Sequence, residues 1–103
     1  MELTEKCKEE FEKWWINFMD QEMSIHTFIQ QHKSMQWGVY VDFFDSVGFN
    51  IVIEQLDYQS WYNYRITNLV LLQFKGTKLS CRPKTRLSAI DKANELHNEF
   101  LNK

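Results

Sequence analysis

Irregular structure has little to work with in this chain. Three glycines and one proline among 103 residues exclude long unstructured loops and low-complexity architecture. The glycines, Gly38, Gly48 and Gly76, stand alone, so there is no glycine-rich loop to cradle a phosphate. Two cysteines far apart, Cys7 and Cys81, form neither a disulfide framework nor a metal-ligand spacing, and read as reduced thiols in structural roles. His26, His32 and His97 lack the four-residue spacing that puts a zinc pair on one helical face. Asp42 and Asp45 would share a helix face, but no third ligand accompanies them, so they read as a solvated surface. Ser46 in "DSVG" and Ser80 beside Cys81 lack a nucleophile elbow. The expectation is therefore no catalytic residue, no metal and no cofactor.

Long apolar runs are missing too. "LVLL" (69–72) is far too short for a bilayer, and the stretch "MELTEKCKEEF" lacks the apolar core of a signal peptide. The expected location is the cytoplasm, with no membrane partner.

What the chain does have is aromatic bulk, at 16%, within an ordinary 44% hydrophobic and 25% charged composition. Its length is that of one domain, residues 1–103, large enough for a core but only marginally stable. The net charge of −2 conceals a segregation. Residues 1–57 hold eleven acids against four bases, whereas 58–90 hold six bases and no acid at all. The small net charge predicts no general affinity for nucleic acid, but the basic segment is a candidate site.

Leu3, Cys7, Phe11, Trp14, Trp15, Phe18 and Met19 form one helical stripe, opposite Glu5, Glu9, Glu12 and Lys13. A second short helix is expected over "MSIHTFIQQH", with Ser24 as cap. "MQWGVYVDFFDSVG" fits both periods. As a helix it puts Trp37, Tyr40, Val41, Phe44 and Val47 on one face, with Gly48 as the stop. As a strand it puts Val39, Val41 and Phe43 on one side. The helix is slightly favoured. "FNIVIEQL", "WYNYRI" and "LVLLQF" read as strands, joined by turns at "DYQS" and "TN". "LSC" is a possible fourth. A last helix is expected to start at Thr85, after Pro83, burying Ala89, Ile90, Ala93, Leu96, His97 and Phe100. The fold class is thus α+β: N-terminal helices, a three- to four-stranded antiparallel meander, and a C-terminal helix packed on the sheet.

The succession "VGFNIVI", "WYNYRI", a closing strand and "TRLSAIDKANEL", with its R-x-x-A-I-x-x-A pattern, resembles small uncharacterised bacteriophage-encoded proteins. It is similar in layout to the phage α-β-α sandwich group over roughly residues 36–102. The long aromatic first helix departs from that pattern. The resemblance implies a phage or prophage origin and no catalytic residues, and so a cytoplasmic location within a host cell.

Candidate site residues fall in two sets. Arg65, Lys75, Lys78, Arg82, Lys84, Thr85 and Arg86 are candidates for binding an anion. Three of these cations crowd the start of the last helix, where its dipole disfavours them by roughly 0.3–1 kcal/mol each. A bound phosphate, or the acidic face of the first helix, would offset that cost. Trp61, Tyr62, Tyr64 and Trp15 are candidates for stacking or for an interface. Two functions follow. The leading one is a non-catalytic binding protein that antagonises a host protein or complex, for example a defence factor. The other is a sponge for a nucleotide-like phosphorylated ligand. An enzyme of unknown type has least support, and a homodimer is compatible with either function.

Overall fold

The computed structural model describes residues 3–18, 28–56, 61–68, 73–76, 79 and 81–102. Among these, three helices and a three-stranded sheet give the α+β class. Helix α1 spans Glu5–Phe18. Its four-residue repeat of Cys7, Phe11 and Trp15 is buried, and Trp14 sits at the margin of the same cluster. The Phe11 ring lies 4.9 Å from Phe28 and 5.2 Å from Phe43, both edge to face. That is the favourable geometry for aromatic pairs.

The ambiguous segment is helix α2, Lys33–Ser46. Tyr40, Phe43 and Phe44 are buried, at a helical spacing. Val39 is only half-buried, and so is Val41. Burying the two phenylalanines contributes roughly 1.5–3 kcal/mol each, more than β propensity offers the strand alternative. Gly48, at φ 97°, ends the helix and donates its N–H to Asp45 O at 3.1 Å. A residue with a Cβ would be strained there. The second helix expected over 24–32 lies largely outside the described residues.

Strands β1 (Phe49–Leu56) and β2 (Trp61–Asn68) pair antiparallel, with Ile51 opposite Ile66 and Ile53 opposite Tyr64 on the core face. Thr67 and Asn68, expected as a turn, belong to β2, because Asn50 and Phe49 continue the ladder beside them. The third strand, β3, is only Gln73–Lys75. Residues 57–60 and 69–72, where a turn and the start of that strand were expected, lie outside the described residues. Of the fourth strand, the described residues show one bridge, Leu79 to Tyr62. Between the Arg65–Lys75 pair and that bridge, residues 77 and 78 lie outside the described residues. Gly76 lies in this interval. Its N–H donates to Tyr64 O at 2.9 Å, and a Cβ there would run into the Tyr64 ring.

Helix α3 spans Arg82–Leu101, three residues earlier than expected. Pro83 is accommodated in the first turn, where its missing N–H is not needed. Thr85 is not the cap: it is fully buried, and its hydroxyl donates to Cys81 O at 2.9 Å. Ala89 and Ala93 are fully buried, and α3 packs on β1 and β2. Phe100, expected inside, is 59% exposed, and Asn98 is buried instead. Asn98 Oδ1 accepts the Cys7 N–H at 2.8 Å, so the first turn of α1 is capped by a side chain of another helix. Helix α2 packs on β1 and α3, and α1 packs on α3.

Candidate binding groove

The described residues of the basic segment lie at different places on the fold. Arg65 lies on the sheet face away from the core, paired with Glu54 at 3.0 Å. Lys84 is exposed, and the buried Thr85 presents nothing to solvent. The side chains of Lys75, Lys78 and Trp61 lie outside the described residues. Trp15, 1% exposed, and Tyr64, buried against Phe74, belong to the core, because both face the helices. Among the described residues, Arg82 and Arg86 converge, one helical turn apart on the same face of α3.

Each arginine stacks on an aromatic ring. The Arg82 guanidinium lies 5.2 Å from the centre of the Tyr62 ring, and that of Arg86 lies 5.7 Å from Trp37. Both are within cation–π range. Arg86 Nε is buried and meets no acceptor among the described residues. Among the described residues no carboxylate pairs with Arg82, Lys84 or Arg86.

The acidic first helix does not supply that partner. Helix α1 meets the far half of α3. Thr4 N–H donates to Asn94 Oδ1 at 2.9 Å, Lys6 Nζ reaches Leu101 O, and Glu10 accepts from His97 at 2.7 Å. His97 lies eleven residues beyond Arg86, about 16 Å along the helix. The offset to the dipole cost by α1, expected as one alternative, is therefore not made by the described residues.

Arg82 and Arg86 instead line an open groove of about 690 Å³ between α2 and β1. The α2 wall carries Met35, Trp37, Gly38, Val41 and Asp42, and the opposite wall is Ile51, Val52 and Ile53. Successive side chains of a strand point to opposite faces. A cavity that touches three consecutive residues of β1 therefore lies against the edge of the strand. Met35, at 58% exposure, and Val52 leave apolar surface in solvent. Gly38 is the most informative residue of the wall. A glycine inside a helix costs about 1 kcal/mol relative to alanine, yet a Cβ at position 38 would meet nothing within 4 Å. Internal packing does not require this glycine. The position opens onto the groove.

Sequence reasoning missed the α2 wall, because Gly38 and Met35 carry no motif. The signal present was a glycine in mid-helix without a packing reason, and that becomes visible only in three dimensions.

A second polar cluster sits under the core. His97 is enclosed by Phe43, Phe44 and Phe49, with Nε2 on Glu10. Its Nδ1 is buried without a partner among the described residues. Burial pushes the Cys7 thiol up to about 12, with Glu10 adding to the shift, so it is no nucleophile at neutral pH. Among the described residues no three of His, Cys, Asp and Glu gather where a metal ion would bind, and no helix is long and apolar enough to cross a membrane. The chain matches no protein-family model, no curated protein and no solved structure.

Proposed function

We propose that this chain acts by binding, without chemistry of its own, and that it seats part of another protein in the groove between α2 and β1. The observation that carries this reading is Gly38. On this reading helix stability is given up there to keep open a partly apolar cleft that ends in two arginines without a carboxylate partner among the described residues. Departures from local preference of this kind concentrate at functional sites. The bacteriophage resemblance would make the partner a host protein, such as part of a defence complex, and this chain its inhibitor.

A phosphorylated small ligand is the second reading, favoured by the guanidinium groups of Arg82 and Arg86. Asp42 in the same groove repels phosphate and argues for an occupant of mixed character. The two separate in one experiment. Gly38→Leu adds a side chain to the groove at a position that improves helix propensity. A yeast-displayed random peptide library is sorted against wild type and against the variant. The proposal expects peptides that bind wild type and lose binding to Gly38→Leu. If no such peptides emerge, and thermal melting instead shifts with nucleotides or inorganic phosphate, the second reading replaces the first.

A further inference from the structure

We infer that the occupant is an extended peptide segment that adds a strand to the free edge of β1 and places a carboxylate against Arg86 and Arg82. This rests on the groove being the binding site and specifies how it is used. Among the described residues β1 is hydrogen-bonded on one side only, by β2. The groove reaches Ile51, Val52 and Ile53 from the other side. The N–H and C=O groups of alternate β1 residues therefore face the cleft, ready to pair with an added strand.

Natural edge strands are usually protected by lysine, proline, a bulge or short length. β1 has eight residues, "FNIVIEQL", with no lysine and no proline. Its one charge, Glu54, is held by Arg65 on the outer sheet face. An edge left unpaired among the described residues, beside a helix wall with room at Gly38, can accept backbone. A helix about 10 Å wide would need more space than one strand at about 4.8 Å from β1.

Charge sets the chemistry of the segment. Two stacked guanidiniums with free donors match a carboxylate, which accepts them in bidentate geometry. Met35, Trp37 and Val41 ask for apolar side chains on the residues that face α2. Asp42, five residues along α2 from the ring that holds Arg86, disfavours a run of acids. The segment is thus apolar at alternate positions and carries a single acidic residue towards the α3 end. A polyanion such as RNA fits this pattern poorly.

The probe is a synthetic peptide from the library sort, tested by titration and by hydrogen exchange on the full chain. N-methylation at every second peptide residue should lower affinity at least tenfold, while N-methylation at the intervening residues changes it less than threefold. Replacing the peptide's acid by its amide, or Arg86→Ala, should each cost about tenfold. Alternate amides of 49–56 should gain protection on binding. A peptide that needs Gly38 but shows no period of two in N-methylation, or protects only α2, overturns strand addition and leaves the groove intact. Failure to recover any groove-dependent peptide removes the binding reading itself. If β1 amides are already protected in the free protein, and sedimentation shows a dimer that Gly38→Leu dissociates, the occupant is a second copy and the inference is wrong.

Discussion

Asn98 joins two helices, and its removal is expected to be the most damaging single change of a polar residue. Its Oδ1 accepts the Cys7 N–H at 2.8 Å, and its Nδ2 donates to Thr4 O at 3.1 Å. The Thr4 carbonyl keeps another donor, Lys8 N–H at 3.1 Å, so its loss is small. The Cys7 N–H belongs to the first helical turn and has no partner within α1. Orphaning a buried donor costs roughly 1–3 kcal/mol, and the lost packing of a buried side chain adds to it. Asn98→Ala should therefore cost about 2–3 kcal/mol. At roughly 4–8 °C per kcal/mol for a domain of this size, Tm falls by roughly 10–20 °C. Asn98→Leu fills the space but leaves the N–H unpaired, so it should be about as damaging. Asn94→Ala loses bonds nearer the surface, to Thr4 N and Thr4 Oγ1, and should cost about 1 kcal/mol or less. Urea denaturation of the three variants reads this order. Wild-type stability in Asn98→Leu, or equal losses in Asn94→Ala and Asn98→Ala, would refute the capping account.

Further expectations follow from single residues. Gly38→Ala should raise stability by about 0.5–1 kcal/mol, seen as a higher denaturation midpoint. A lower one would mean that position 38 is not open space. Gly76→Ala should cost about 1–3 kcal/mol, because the new methyl displaces the Tyr64 ring from its packed position, and near-ultraviolet circular dichroism should report the tyrosine change. Cys7 and Tyr64 are both held protonated above their ordinary range, by burial first and then by nearby carboxylates, Glu10 for Cys7 and Glu95 and Asp91 for Tyr64. With folded values above unfolded ones, their contribution to stability is complete below about pH 9 and shrinks as pH rises through the folded values. Stability should fall by about 1 kcal/mol per pH unit above pH 9, and Cys7→Ala should flatten that fall. Iodoacetamide at pH 8 should label the half-buried Cys81 and spare Cys7 in the native protein. Labelling of both at one rate would contradict the burial of Cys7.

How far the sequence reveals this fold depends on which interactions decide each element. The stripe of Cys7, Phe11 and Trp15 is legible because one helical face is apolar and the other charged. The segment 33–46 is less so, because "VYVDFF" is apolar on several sides and only burial of both Phe43 and Phe44 settles its period. The start of α3 is misread from Pro83 and Thr85, since a cap preference is worth about 1 kcal/mol and burial of Thr85 beneath the helix outweighs it. Of the candidate site, Arg82 and Arg86 are visible as cations at the wrong end of a helix. Their partners Tyr62 and Trp37, and the α2 wall, come from distant parts of the chain that no local pattern connects. Asn98, which belongs to no local pattern, caps the first turn of α1 from ninety-one residues away in sequence.

The most direct test of the central claim is the affinity of a groove-selected peptide for wild type and for Gly38→Leu, with the stability of both proteins measured alongside. The groove account predicts a variant at least as stable as wild type that has lost binding by tenfold or more. A stable variant that binds the peptide as wild type does would place the binding site elsewhere on the molecule.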